Sequence, residues 1–67
     1  MDDTMLVKGM MNIHNNYPVL DELLKMLWDK NHLNMRRLNE LGAFLISIES
    51  NDSLAFCRGI QPYLLNK

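Results

Sequence analysis

A chain of 67 residues has room for one domain, and a domain of that size buries barely enough apolar surface to offset its chain entropy. Cys57 is the only cysteine, which excludes an intrachain disulfide as a supplement to the core, and a net charge of −1 gives no electrostatic footprint for a phosphate backbone. The apolar and charged shares, 48% and 22%, are those of a folding chain rather than a disordered one, which leaves a second subunit as the leading supplement.

Residues 1–15 hold four methionines together with Leu6, Val7 and Ile13, while Gly9 and the polar residues Asn12, His14, Asn15 and Asn16 interrupt the period. This methionine-rich segment, residues 1–17, is read as a short helix or a flexible terminus. It opens with Met1-Asp2-Asp3, acidic where a secretory signal is basic, and the apolar stretch Leu41 to Ile48 is too short to span a bilayer, so a soluble cytoplasmic protein is expected.

Residues 18–67 form the predicted helical domain. Pro18 suits the first position of a helix, because its fixed φ is helical and its missing N–H had no partner to lose. Asp21 and Glu22 follow at the positive end of that helix. Leu20, Leu23, Leu24, Leu27 and Trp28 then recur at i, i+3, i+4, i+7 and i+8, the spacing of one buried stripe, until Asp29, Lys30 and Asn31 stop it. Asn34 is a predicted N-cap for a central helix carrying Leu38, Leu41, Leu45 and Ile48, with Met35 ahead on the same stripe and Phe44 and Ile46 widening the apolar surface. After Ser50-Asn51-Asp52-Ser53, a last helix opens at Asn51 or Asp52 and carries Leu54, Phe56, Cys57 and Ile60. Gly59 and Pro62 weaken it, and the proline is expected to kink or end it before Tyr63-Leu64-Leu65. The fold class is therefore all-α, a bundle of three or four helices, expected to be homodimeric.

Conventional chemistry finds little footing. His14, His32 and Cys57 stand far apart, with no C-x-x-C or H-x-x-x-H pairing, so no metal is expected; His32 reads as a solvated turn residue and Cys57 as a small core residue. Asp21, Glu22, Asp29, Glu40, Glu49 and Asp52 read as solvated faces and caps rather than an acid–base pair. There is no nucleophile motif and no glycine-rich phosphate loop, so neither enzyme activity nor a cofactor is expected.

Two helices joined near residues 30–34 also fit a helix-turn-helix, in which Arg36, Arg37 and Asn39 would reach phosphates or base edges. The overall charge argues against it. A seam of Leu38, Leu41, Leu45 and Ile48 packed on Leu20, Leu24 and Leu27 leaves Phe44, Ile46, Phe56, Tyr63 and Leu64 more apolar surface than one chain can cover. A two-fold homodimer with the central or last helix at the contact is one resolution. A monomer whose N-terminus folds back over the patch is the other. The candidate seam or interface set is thus Leu38, Leu41, Phe44, Leu45, Ile48, Phe56, Tyr63 and Leu64.

The stretch Leu20 to Asn34, L-D-E-L-L-K-M-L-W-D-K-N-H-L-N, followed by M-R-R-L (Met35 to Leu38), F-L-I-S-I-E (Phe44 to Glu49) and Y-L-L (Tyr63 to Leu65), resembles the small enterobacterial biofilm and acid-resistance regulators of the AriR/YmgB type, also described as two-component-system connector proteins. Gly59 and Pro62 depart from that family's continuous last helix. The resemblance implies a small helical dimer that modulates signalling or transcription through protein contacts, affecting biofilm formation and acid survival by way of a sensor-kinase phosphorelay. The expected function is a non-enzymatic bacterial regulator or adaptor that binds itself and another protein, a sensor kinase or transcription regulator. A DNA-binding helix-turn-helix regulator and a phage- or plasmid-derived inhibitor or antitoxin of one target protein stay open as rivals.

Overall fold

The computed structural model describes residues 3–65 and consists of four α-helices around one core: α1 Thr4–Asn16, α2 Pro18–Asp29, α3 Leu38–Ser47 and α4 Ser53–Ile60. Met1 and Asp2 of the methionine-rich segment, and Asn66 and Lys67 of the helical domain, lie outside the described residues. The core consists of Leu6, Ile13, Leu20, Leu24, Leu33, Leu41, Leu45, Phe56 and Ile60. Among the described residues no helix is long and apolar enough to cross a membrane.

The first helix is the largest departure from the sequence reading. Residues 4–16 form a regular 13-residue helix rather than a short or frayed one. Leu6, Gly9 and Ile13, at i, i+3 and i+7, are its buried face. Gly9 does not interrupt this helix but lets it pack. A Cβ there would lie 2.7 Å from both the Gly42 carbonyl oxygen and Leu45 Cβ, and a Cβ on Gly42 would lie 2.5 Å from the Met5 carbonyl carbon. Glycine on both sides lets α1 cross α3 with their backbones almost in contact.

Tyr17 joins α1 to α2 in one residue. The following Pro18 disfavours a helical backbone at Tyr17, whose φ of −134° and ψ of 79° break the helix, while its own carbonyl accepts the Asp21 N–H and starts the next one. At the far end of α2, Asn31 adopts a left-handed φ of 57°, its N–H bonds the Trp28 carbonyl and the His32 N–H bonds the Leu27 carbonyl. That pair of bonds is the Schellman closure, and asparagine is among the few side chains that tolerate its backbone.

Asn34 accepts the Arg36 N–H through its side chain, as a cap should, but the turn it opens, Met35–Arg37, is 3₁₀; the α-helix begins at Leu38 and ends at Ser47. Ile48 is extended and Met35 is exposed, so neither continues the expected helical stripe. Asp52 caps α4 by accepting the Leu54 and Ala55 N–H groups. The helix runs through Gly59 to Ile60 and stops before Pro62, which sits in a 3₁₀ turn, Gln61–Tyr63. The chain then pairs antiparallel with the α2–α3 linker at Leu33 and Leu64, where Asn34 N–H meets the Tyr63 carbonyl at 2.8 Å and Leu65 N–H the His32 carbonyl at 2.7 Å.

Polar side chains fix the corner between α1 and α2 to the far end of α3. Asn12 Nδ2 donates to the Leu45 carbonyl at 2.8 Å, one of the carbonyls that the end of α3 leaves unpaired, and Tyr17 donates its hydroxyl to the Ile48 carbonyl at 3.0 Å. Asn51 accepts the Leu20 N–H across the same junction.

The expected apolar excess is largely absorbed within the chain. Phe44 stacks on Phe56 and on Tyr63 with ring centroids 6.1 and 5.8 Å apart, Leu64 packs on the core, and of the five residues expected to lack cover only Ile46 is exposed. The seam of α3 faces α1 rather than α2, because the glycine crossing brings α1 closer to α3 than the leucines of α2 can come. Cys57 is exposed rather than in the core, since the inward positions of α4 are Phe56 and Ile60. Trp28 is exposed too, as Leu20 and Leu24 form the inward stripe of α2.

Candidate functional site

The eight residues expected to form a seam or interface lie together on the α3–α4 side of the core. Leu41, Leu45 and Phe56 are buried, while Leu38, Phe44, Ile48, Tyr63 and Leu64 are half-buried and packed against them. They serve the interior of this chain, and Phe56 and Leu64 also line a shallow groove of about 140 Å³ with Leu23, Met26 and Leu27 of α2.

Of the three residues assigned to nucleic acid, Arg36 and Asn39 are exposed, and Arg37 is engaged within the chain. Its guanidinium pairs with Glu40 at 2.7 Å, donates to the Pro62 carbonyl at 2.8 Å and lies 5.1 Å from the centroid of the Tyr63 ring. The described exposed positions of α3 beyond it, Asn39, Glu40, Ala43, Ile46 and Ser47, carry no cation. No observation on this helix favours a phosphate backbone as its ligand.

Exposed apolar side chains lie on several elements, among them Met26 on α2, Ile46 on α3 and Leu54 on α4, and three of them, Val7, Met11 and Trp28, meet between α1 and α2. These helices leave a groove of about 330 Å³ whose walls are Val7, Met10, Met11 and His14 on one side and Asp21, Leu24, Lys25, Trp28 and Asp29 on the other. Each wall repeats at i, i+3, i+4 and i+7, the face that one helix presents to another. Val7 and Met11 are 52% and 56% exposed and Trp28, the only tryptophan, is 40% exposed. Past Trp28 a second groove of about 270 Å³ is lined by Asn31, Leu33, Met35 and Leu65, so the indole forms the ridge between the two.

One end of the first groove is polar. Asp21 Oδ2 lies 3.2 Å from His14 Nδ1, which ties α1 to α2, and 3.1 Å from Lys25 Nζ one turn on in α2 itself. Burial of the Asp21 carboxylate raises its pKa, but the hydrogen bonds and charges of Lys25 and His14 outweigh that and hold it below the usual aspartate value. A His–Asp pair orients a nucleophile in some hydrolases, but the lining of this groove contains no hydroxyl or thiol side chain for it to activate. Among the described residues no three His, Cys, Asp or Glu side chains come together as metal ligands. His14, His32 and Cys57 lie on α1, in the α2–α3 linker and on α4.

The α1 half of this site is hidden in the sequence, where Gly9 looks like an interruption of the helical period. Treated as a contact position, it completes Leu6, Gly9 and Ile13 as an inward face and leaves Val7, Met11 and His14 on another. No protein-family model, no curated protein and no solved structure matches the chain. The resemblance to AriR/YmgB-type regulators is carried by the quoted residues alone.

Proposed function

We propose that this chain is a non-enzymatic bacterial regulator or adaptor that binds helical protein segments in the groove between α1 and α2. The observation that carries the reading is the placement of Val7, Met11 and Trp28. Three large apolar side chains line one groove while remaining substantially in water, on a protein whose other aromatic rings are half-buried or buried. Covering them with the apolar stripe of a partner helix removes that surface from water, and methionine adapts its shape to the incoming side chains. A tryptophan at the centre of such a patch is the residue type that most often anchors an interface.

The narrower assignment, a connector to two-component signalling that acts in the cytoplasm with biofilm and acid survival as its outputs, rests on the resemblance of residues 19–65. The broader one is tested by placing a photo-crosslinking amino acid at position 11, and separately at position 54 on α4, in cells that express the chain. Covalent adducts with protein at position 11 and not at position 54 are the expected result. Equal yields at the two positions, or none at either, would defeat the reading.

A further inference from the structure

We infer that the segment seated in the α1/α2 groove is a basic amphipathic helix, whose arginine stacks on the Trp28 indole and pairs with the Asp29 carboxylate while its apolar stripe covers Val7 and Met11. The inference rests on the reading of the groove as a protein-binding one and names the chemistry of the partner. Exposed apolar side chains elsewhere do not carry the same reading. Among the described residues Ile46 is the one large apolar side chain exposed on α3 and Leu54 the one on α4, and the shallow groove beside Met26 has no carboxylate or ammonium along it.

Charge selects the sign of the partner. Two carboxylates, Asp21 and Asp29, and one ammonium, Lys25, line the groove together with His14, so with the imidazole neutral the groove carries one negative charge in excess. Lys25 stands one turn from either carboxylate and is taken by Asp21, at 3.1 Å. Asp29 is exposed and makes no ion pair among the described residues, and Lys30, next in the chain, does not reach it. Asp29 also sits in the last turn of α2, at the negative end of the helix dipole, where a cation is favoured and where that turn supplies none. A carboxylate placed there without a partner is electrostatically unfavourable in this chain alone, and a cation from outside relieves it.

The indole selects arginine among cations. Trp28 is 40% exposed and adjoins Asp29 on the same groove. An indole face attracts a cation more strongly than other rings do, and a guanidinium is planar, so one arginine stacks on the ring and still directs N–H donors at a neighbouring carboxylate. The chain uses the same arrangement internally, where Arg37 lies 5.1 Å from the centroid of the Tyr63 ring and pairs with Glu40 at 2.7 Å.

Length and period complete the partner's description. The walls run from Val7 to His14 and from Asp21 to Asp29, about 11 Å of helix, which is room for two turns of a partner. The recess along Val7, Met10 and Met11 takes apolar residues spaced at i, i+3, i+4 and i+7. The arginine belongs at the end of that stripe, because Trp28 and Asp29 stand at the end of the α2 wall.

The test uses two synthetic probes without aromatic residues, so that Trp28, the single tryptophan, is the reporter. One is a helical alanine- and glutamine-based peptide with leucine at i, i+3, i+4 and i+7 and an arginine at each end of the stripe; the other carries glutamate in place of arginine. Each is titrated into the full chain and followed by indole emission. The arginine peptide is expected to bind on the order of 10-fold more tightly at low salt, an advantage that shrinks as salt is raised. Asp29→Asn is expected to remove most of this preference, Met11→Gln to weaken both peptides and Leu54→Gln, on α4, to change neither, with circular dichroism verifying that all three variants stay helical. Equal affinity for the two peptides, a preference for glutamate, or a preference that survives Asp29→Asn overturns the inference and leaves the groove as a helix-binding face. Binding of neither peptide overturns it too; photo-adducts at position 11 then keep the reading of the groove, and their absence ends both.

Discussion

A methyl group added to Gly42 would stand 2.5 Å from the Met5 carbonyl carbon and 2.6 Å from the Leu6 nitrogen, positions held by backbone that cannot rotate away as a side chain can. Gly42→Ala is therefore expected to force α1 off α3 and to cost about 2–3 kcal/mol, even after the helix propensity that alanine returns. The loss would be read as a lower urea midpoint with an unchanged slope. Arg36 and Arg37 are neighbours with opposite prospects. Arg36→Ala removes an exposed side chain and should leave stability within about 0.5 kcal/mol, whereas Arg37→Ala loses the Glu40 pair, the bond to the Pro62 carbonyl and the contact with Tyr63, at a cost of about 1 kcal/mol. Thermal melts of the two variants at one protein concentration separate them. An equal effect would show that the anchorage of Arg37 contributes nothing.

At the scale of the element, each helix ends where a particular side chain or ring makes ending favourable. Asp52 accepts two N–H groups at the start of α4, a helix of only 8 residues that has little intrinsic stability. Asp52→Ala is expected to cost about 1 kcal/mol and Asp52→Asn a few tenths, because asparagine caps nearly as well, and urea titration of both variants measures the difference. The boundaries legible in the sequence were of this local kind: Pro18 at the start of α2, Asn31 at its end, Asp52 before α4 and Pro62 after it. Asn34 was legible as a cap but not as the cap of a 3₁₀ turn, since a side chain bonding the N–H two residues on serves either geometry. Asn12 and Tyr17 were not legible at all, because their partners, the carbonyls of Leu45 and Ile48, are more than thirty residues away.

At the scale of the whole molecule, the two helices that flank the groove are linked by one residue of chain and by the contact of His14 on α1 with Asp21 on α2, a carboxylate that also pairs with Lys25 of its own helix. Asp21 has a lower pKa folded than unfolded, so it favours the folded state at neutral pH, and that contribution is lost as the pH falls below about 4 through the folded value. Asp21→Asn should flatten the acid limb of the stability curve while leaving its shape near pH 7 intact; an acid limb with unaltered slope would place the sensitivity elsewhere. By itself the sequence determined the all-α class and the boundaries of α2 and α4, because hydrophobic period and capping act over a few residues. Only the tertiary structure decided that α1 is a full helix crossing α3 at Gly9 and Gly42, that the aromatic residues of α3 and α4 cover one another, and that Trp28 faces water beside an apolar groove. Which helix a stripe meets depends on how closely two backbones can approach, and that distance is set by residues remote from each other in the chain.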